Sequence, residues 1–284
     1  MMGLTISERL MYSTIYIECR ASKTDDIPSI GTGFFFNFVV PPCRHPIPFI
    51  ITNKHVIKNS YYGKLRFTLA SDDFKPLDEQ YFDFDIPNFK NLFISHPDES
   101  IDLCAMPLGP ILSDLEHMYN KKVFFIALDS SIIASLNTLS VVEDVLMVGY
   151  PNGIWDEVNN KPIFRKGITA THPRFNYNGK REFLIDIACF PGSSGSPVFI
   201  YNENGYIDKN NLSYNLGSTR LLFAGVMMGG HEYFISTIDD TGYDSNVYTK
   251  IPNNLGVVIK SDTLIDLQFK IGQQYYIQWR SKAL

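Results

Sequence analysis

Short apolar segments, rich in β-branched and aromatic residues, recur along the 284 residues of the chain. Such segments are typical of β-strands, and the Asn-Gly pairs between some of them are signals for tight turns. The predicted strands are residues 13–20, 33–40, 48–57, 65–70, 123–128, 144–151, 182–190, 196–202, 221–230 and 246–251. Because helical periodicity is weak and no repeat of solenoid length is visible, the pattern favours an all-β sandwich or barrel.

The composition excludes several classes of protein. Hydrophobic residues make up 45% of the chain and charged residues 19%, as in folded globular proteins. The formal charge of -5 argues against non-specific binding of nucleic acid through a basic face. No apolar run approaches the roughly 18 residues of a membrane-spanning helix. Glu8 and Arg9 interrupt the apolar stretch that a secretory signal would need, so we expect a cytoplasmic protein.

The cysteines and histidines are scattered. Cys19, Cys43, Cys104 and Cys189 form no C-x-x-C pair, which favours reduced thiols over a disulfide framework. The six histidines lie far apart in the chain, and none is grouped with cysteines at the spacing of zinc ligands. We therefore expect neither a metal nor another cofactor.

Three separate segments carry residues that could together perform acyl transfer. The glycine-rich turn at residues 191–197 contains Ser194, His55 follows an apolar segment, and Asp102 precedes another. A serine hydroxyl becomes nucleophilic when a neighbouring histidine removes its proton. The histidine in turn needs a carboxylate that fixes its tautomer and stabilises its charged form. Backbone N–H groups of a glycine-rich turn can stabilise the oxyanion.

Other assignments of these roles are less favourable. The rival carboxylates are Asp83, Asp85 and Asp98; Asp83 and Asp85 alternate along a predicted strand and share a face. Ser193 is a rival nucleophile without the Gly-x-Ser-Gly placement, and Cys189 lies at an apolar strand end typical of a buried thiol. An α/β-hydrolase needs G-x-S-x-G and alternating helices, and the chain has neither at this serine.

The motifs resemble those of the trypsin-like (chymotrypsin-fold) serine peptidases, and most closely the bacterial-type members without disulfides. The similar motifs, over roughly residues 10–260, are GTGFFF (31–36), TNKHVI (52–57), DLCAM (102–106), LMVGYP (146–151), GSSGSP (192–197) and LGVVI (255–259). The chain order His55, Asp102, Ser194 is also that of this fold. The resemblance implies two six-stranded antiparallel β-barrels, 1–120 and 121–284, with the active site between them.

The same resemblance implies roles for individual residues. Ser194 would be the nucleophile, His55 the general acid and base, and Asp102 the group that orients the histidine. The N–H groups of Gly192 and Ser194 would form the oxyanion hole. The substrate-binding residues would be Ala188, Pro191, Met227, Met228, Gly229, Gly230 and His231.

The implied function is that of a serine endopeptidase that forms an acyl-enzyme with a protein or peptide substrate. Ala188 stands where trypsin-type enzymes keep an aspartate, so we expect an apolar or medium-sized residue before the scissile bond. His231 could instead accept an acidic residue, or could simply lie on a solvated loop. The strand at 224–229 is expected to pair with the substrate backbone.

Regulation and alternative activities stay open at this point. Ser193 replaces the aspartate that receives the new N-terminus when secreted trypsin relatives are activated. We therefore expect no such activation step, and restraint by narrow specificity or by a protein regulator. The alternatives to a peptidase are a catalytically silent peptide-binding module, or an esterase or acyltransferase on the same fold. Residues 261–284 lie beyond the resemblance, and we expect them to pack on the second barrel.

Overall fold

The computed structural model describes residues 3–24, 27–41, 43, 45–209, 211–238 and 244–282; the side chains of 232–250 and 277–282 are outside the description. Strands dominate these ranges, as the apolar segments predict. We number strands and helices in chain order.

The first half of the chain forms one antiparallel sheet. Its strands are β1 (Thr14–Arg20), β2 (Ser29–Phe38), β3 (Ile47–Thr52), β4 (Tyr62–Ala70), β5 (Pro76–Pro87), β6 (Ile94–Ser95), β7 (Cys104–Pro107) and β8 (Val123–Phe124). They lie in the order β5-β4-β1-β2-β3-β7-β6, with β8 pairing β4. The neighbours β3 and β7 bring the segments that carry His55 and Asp102 side by side, since Thr52 pairs with Cys104.

The second half contains a closed barrel. Its strands are β9 (Asp144–Gly149), β10 (Ile163–Thr169), β11 (Glu182–Asp186), β12 (Pro197–Asn202), β15 (Arg220–Ile238) and β16 (Asp244–Lys260). They close in the order β10-β11-β16-β15-β12-β9, and β13 (Gly205–Asp208) and β14 (Ser213–Leu216) form a separate hairpin. β12 starts immediately after the glycine-rich turn, so the barrel fixes one end of that turn.

The prediction of two closed six-stranded barrels is confirmed for the second half only. The first half is an eight-stranded sheet, and no pairing in the described part of the chain joins its end strands β5 and β6. β5 is twelve residues long and alternates exposed and buried positions towards its end, which places Asp83 and Asp85 on a strand as expected. The second half matches the predicted strand count and is antiparallel throughout.

Three α-helices and five short 3-10 helices complete the described chain; the α-helices are α1 (Ile6–Leu10), α2 (Gly109–His117) and α3 (Thr263–Lys282). α2 lies between the predicted strands 65–70 and 123–128. In the described ranges no helix is both long and apolar enough to cross a membrane.

One hydrophobic core is shared by the sheet, the barrel and α3. Phe36 and Phe49 enter it from the sheet, Phe199 and Phe223 from the barrel, and Leu267 from α3, and all five are fully buried. The C-terminal segment therefore packs against both halves, which extends the expectation that it packs on the second barrel. Because the same apolar side chains contact both halves, this core holds the sheet and the barrel in a fixed relation.

Candidate active site

His55 and Asp102 are in direct contact. The Asp102 carboxylate accepts a hydrogen bond from the backbone N–H of His55 at 3.0 Å through Oδ1, and its Oδ2 bonds to Nδ1 of the imidazole. The side-chain amide of Asn53 donates to the Asp102 carbonyl at 2.8 Å, which ties the two loops together. The Asp102 side chain is 21% exposed and that of His55 46% exposed, so part of the imidazole is accessible from outside the protein.

The rival carboxylates are occupied elsewhere or exposed. Asp83 forms a two-point ion pair with Arg66 on the neighbouring strand, at 2.6 and 2.7 Å. Asp98 accepts hydrogen bonds from the backbone and hydroxyl of Ser100. These bonds lower the pKa of the Asp98 carboxyl. Asp85 points to solvent. Among these carboxylates, only Asp102 contacts His55.

Ser194 is the accessible serine of the glycine-rich turn. It is half-buried, whereas Ser193 is 1% exposed and its hydroxyl faces the backbone N–H of Phe190. In this structure the Ser194 hydroxyl donates to the carbonyl oxygen of Met228 at 2.9 Å. It does not bond to His55 here. Catalytic hydrogen bonds are commonly formed only when substrate binds, so this geometry does not remove Ser194 as the candidate.

The two glycines of the turn are required by its backbone shape. Gly192 and Gly195 have φ values of +88° and +86°, in the left-handed region that favours glycine. A Cβ atom on Gly192 would lie 2.5 Å from the Tyr150 carbonyl oxygen, and one on Gly195 would lie 1.9 Å from the Thr32 carbonyl oxygen. The glycines therefore let the turn approach both the barrel wall and the first sheet.

The N–H groups of Gly192 and Ser194 point away from the backbone groups to which the glycine-rich turn is hydrogen-bonded. The carbonyl of Pro191 accepts from Asn152 at 2.5 Å, and the carbonyl of Ser193 accepts from Ser196 at 3.1 Å. In a trans peptide the N–H points opposite to the preceding carbonyl. The N–H groups of Gly192 and Ser194 are thus turned away from these partners, and neither donates a hydrogen bond to the described part of the chain.

Thr32 fastens this turn to the first sheet, a role the sequence did not indicate. Its N–H donates to the Ser194 carbonyl at 2.9 Å and its hydroxyl donates to the Gly192 carbonyl at 2.9 Å. The same hydroxyl accepts from the N–H of Tyr150 at 3.1 Å. Thr52, at the end of β3, donates to the Thr32 carbonyl at 2.7 Å. The only available signal was the GTGFFF motif, which predicts a strand but not these contacts.

The predicted pocket walls are neighbours in the structure. A Cβ atom on Gly230 would lie 3.3 Å from Cβ of Cys189, so the 188–191 and 227–230 segments face each other. Ala188 is half-buried and Pro191 is exposed. The Met227 side chain is 1% exposed and belongs to the barrel core, 3.9 Å from the Cys189 sulfur. Only the backbone of Met227 therefore reaches the turn.

The expected substrate-pairing strand begins later than predicted. Gly225 and Val226 pair with β12 on one side and with β16 on the other, so their backbone groups are already used. Met227 exchanges two hydrogen bonds with the glycine-rich turn: its carbonyl accepts from the N–H of Gly195 and its N–H donates to the carbonyl of Ser196, each at 2.8 Å. A peptide can pair with this strand only from Met228 onwards, where Gly229 and Gly230 follow.

His231 lies on β15 rather than on a solvated loop. It is partly buried, its Nε2 has no hydrogen-bond partner in the described part of the chain, and its ring packs edge-on against Tyr177 at 6.3 Å. Burial raises the pKa of the Glu182 carboxyl, and the nearby charges of Lys180 and His231 partly offset this rise. The His231 side chain thus faces β11 and the turn before it.

The profile of the trypsin-like peptidase domain family matches residues 31–206, well over half of the chain. The chain belongs to the trypsin-like peptidase family. The matched range contains His55, Asp102 and Ser194, and it ends before β15. Among curated proteins no match to this trypsin-like peptidase is found.

Several solved structures are similar to this trypsin-like peptidase at low identity. An HtrA-type protease, AlgW in a serine-to-alanine form with a tripeptide, is 13% identical with a TM-score of 0.46, over 93% of this chain and 61% of that one. The Mycobacterium tuberculosis H37Rv protein Rv3671c, an inactive serine-to-alanine mutant, is 16% identical with a TM-score of 0.45, over 94% of this chain and 90% of that one. The chain thus spans less than two thirds of the HtrA-type protease.

The thiols of this trypsin-like peptidase are poor candidates for catalysis. All four cysteines are free, and only Cys43 is exposed. Burial raises the pKa of the Cys189 thiol to about 12, although the nearby Arg165 opposes the rise. A thiol with so high a pKa is almost fully protonated at neutral pH and is a weak nucleophile. In the ranges described, no three His, Cys, Asp or Glu side chains are grouped so that they could hold a metal ion.

Proposed function

We propose that this chain is a serine endopeptidase that acts through an acyl-enzyme, with Ser194 as nucleophile, His55 as general acid and base, and Asp102 as orienting group. The observation that carries the proposal is the pair of contacts from one carboxylate to the backbone and ring of His55, beside a turn that exposes Ser194. A catalytically silent peptide-binding module would not need this arrangement of the histidine.

The proposed reaction begins when the Ser194 hydroxyl turns from the Met228 carbonyl towards His55. Because Asp102 bonds to Nδ1, the neutral imidazole carries its proton there and Nε2 is free to accept the serine proton. The serine oxygen then attacks the scissile carbonyl. The protonated imidazole gives its proton to the leaving amine, and water releases the acyl group by the same steps in reverse.

The oxyanion of the tetrahedral intermediate would be stabilised by the N–H groups of Gly192 and Ser194. Both are free of partners in the described part of the chain, and the hydrogen bonds of the neighbouring carbonyls hold their direction before substrate arrives. Donors fixed in advance are worth more than donors that must reorient during the reaction. Thr32 is a positioning residue in this scheme, since it holds the Gly192 carbonyl.

We also propose the division of the chain into parts 1–120 and 121–284, in the manner of the two barrels of this fold. His55 follows β3 and Asp102 precedes β7 of the first sheet, and Ser194 precedes β12 of the barrel. The cleft for the substrate would lie between these two parts. Ala188 would be at the base of the specificity pocket.

The proposed preference is for an apolar or medium-sized residue before the scissile bond. The half-buried Ala188 offers no charge to a basic side chain, and burying an unpaired cation is costly. A panel of internally quenched peptides that differ only at this residue tests the preference, with the Ser194→Ala variant as the inactive control. We expect the highest kcat/KM for apolar residues; efficient cleavage after arginine would overturn the preference, and cleavage by the Ser194→Ala variant would overturn the function.

A further inference from the structure

β15 and β16 continue past the barrel as a long two-stranded hairpin. We call this extension the arm, and define it as residues 229–238 of β15 and 244–254 of β16. Its two strands are antiparallel, and the pairing within it runs from Glu232 with Pro252 to Ile238 with Asp244. Between Glu232 and Ser236 the pairing is unbroken, while shifts of register occur on either side of this stretch. Such bulges bend a hairpin and increase its twist.

One edge of β15 pairs with other parts of the chain only as far as the glycine-rich turn at residues 191–197. β12 pairs with this edge up to Val226, the turn then bonds to Met227, and the Ser194 hydroxyl reaches the Met228 carbonyl. Beyond Met228, no strand in the described part of the chain pairs with this edge. The free edge thus starts at the nucleophile and continues for about ten residues, or about 35 Å at the usual rise of a strand.

The start of the free edge leaves room for another backbone. No atom lies within 4 Å of the position that a Cβ on Gly229 would occupy, and Gly230 is exposed. Glycine is not required there by the packing of this chain. A strand without side chains at this point allows a second strand to approach closely. Long free edges are usually blocked in soluble proteins, because they bind other chains.

We propose that the arm extends the substrate-binding strand, so that residues far to the N-terminal side of the scissile bond pair with β15 between Met228 and Ile238. This inference rests on the proposed function. Every strand pairing within the barrel is antiparallel. A peptide that continues the line of β12 along β15 therefore runs from the tip of the arm towards Ser194, and its scissile carbonyl arrives at the turn.

The occupant required by this geometry is an extended polypeptide segment of about ten residues before the cleavage site. Recognition would depend on the peptide backbone, since strand addition uses main-chain hydrogen bonds. The substrate class is thus unfolded chains or long exposed loops, and short peptides would use only the first part of the edge. A second copy of this chain, paired arm to arm, is the competing occupant.

Nested peptides test the proposal on the intact protein. All peptides share the residues around the scissile bond and differ by N-terminal extensions of two, five and eight residues that alternate Ser and Thr. We expect kcat/KM to rise by about tenfold or more from the shortest to the longest, because each added backbone hydrogen bond contributes modestly. No rise beyond the shortest peptide would overturn the proposal.

Methylated peptides then show whether the gain comes from strand pairing. In an antiparallel pair, only every second residue directs its N–H towards the neighbouring strand. Single N-methyl groups, placed in turn along the five residues opposite 232–236, should therefore lower kcat/KM at alternate positions. An equal effect at all positions, or none, would contradict pairing along the arm.

A shortened arm is the matching variant. Tyr233 and Ile251 are paired, so an Asn-Gly turn can join them in place of residues 234–250. The variant should cleave the shortest peptide as the wild type does and should lose the gain with length. If sedimentation instead shows a wild-type dimer that the shortened arm abolishes, with no effect of peptide length, the arm joins copies of this chain and the proposal is wrong.

Binding to the Ser194→Ala variant separates this proposal from the proposed function. Fluorescence anisotropy of the labelled peptides measures pairing without cleavage. Tighter binding of long peptides with no hydrolysis by the wild type would support the arm and contradict the peptidase. Hydrolysis with equal binding of long and short peptides would support the peptidase and overturn the arm.

Discussion

At the scale of single residues, the contacts of Asp102 explain how a histidine on a turn is held in one orientation. One carboxylate oxygen accepts from the backbone N–H of His55 and the other contacts Nδ1. The ring can therefore neither rotate freely nor exchange its tautomer without losing a charged hydrogen bond. Ser193, one residue before the proposed nucleophile, shows the opposite situation, because its side chain is almost fully buried.

Asp102→Asn tests this role of the carboxylate. The amide of asparagine would donate to Nδ1 and leave the proton on Nε2, so the imidazole could no longer accept the serine proton. We expect kcat to fall by about 1,000-fold or more with little change in the melting temperature. Asp85→Asn, which changes an exposed aspartate outside the site, is the control and should retain full activity. A loss below tenfold in Asp102→Asn would contradict the assignment.

The three residues assigned to catalysis could be predicted from the sequence because the chemistry requires particular residue types. The contacts that support them could not be predicted. Thr32 donates through its hydroxyl and Asn152 through its backbone N–H to carbonyls of the turn, across 160 and 39 positions of the chain. Such contacts depend on how β2 and the loop after β9 approach the turn; many threonines would fit the sequence pattern equally well, and a backbone donor leaves no mark in the sequence.

At the scale of elements, Thr32 links β2 to the glycine-rich turn by hydrogen bonds. Its hydroxyl satisfies the carbonyl of Gly192 and the N–H of Tyr150, both in a buried region. Through Thr32 the first sheet thereby holds the peptide groups 192–193 and 194–195, which lie on either side of the peptide group that carries the Ser194 N–H. β12 fixes the other end of the turn, so the turn is held by both halves of the molecule.

Thr32→Val removes the hydroxyl while keeping the shape of the side chain. Two buried backbone groups lose their partners, which should cost about 1–3 kcal/mol of unfolding free energy. We also expect kcat to fall, because the released peptide group 192–193 adjoins both peptide groups that carry the proposed oxyanion donors. Thr32→Ser restores the hydroxyl and should recover most of both losses in denaturant unfolding and peptide hydrolysis. Equal stability of wild type and Thr32→Val would show that these bonds do not hold the turn.

The arm shows where strand prediction from sequence fails. The apolar segments predicted 221–230 and 246–251 as separate strands, but β15 and β16 continue well beyond them, to Ile238 and from Asp244. Residues 231–245 mix polar, aromatic and apolar side chains without the regular alternation of a half-buried strand. Pairing between β15 and β16 satisfies the backbone groups that face each other, and a pattern search for burial does not detect this.

At the scale of the whole molecule, the shared core joins the first sheet to the barrel. Side chains of the first sheet, the barrel and α3 contact one another in a single apolar cluster. On the barrel side, Arg181 forms ion pairs with both Asp262 and Asp266 near the start of α3. We therefore expect the molecule to unfold as one cooperative unit.

Leu267→Ala tests this expectation. The Leu267 side chain is fully buried in the shared core, so its truncation should destabilise the fold by about 2–5 kcal/mol. Phe269→Ala is the matched control on the same helix, because Phe269 is 69% exposed and its loss should change stability by about 0.5 kcal/mol or less. Calorimetry should show one transition in each variant. Two separate transitions in Leu267→Ala would mean that the halves fold independently.

Labelling with a fluorophosphonate probe tests the central claim most directly, because the probe reacts covalently with a serine that has been activated by its base. We expect the wild type and Ser193→Ala to be labelled and Ser194→Ala to remain unlabelled, with mass spectrometry of the digested protein placing the adduct on Ser194. Absence of labelling in the wild type, or labelling that persists in Ser194→Ala, would contradict the assignment of Ser194, His55 and Asp102 as a working catalytic triad.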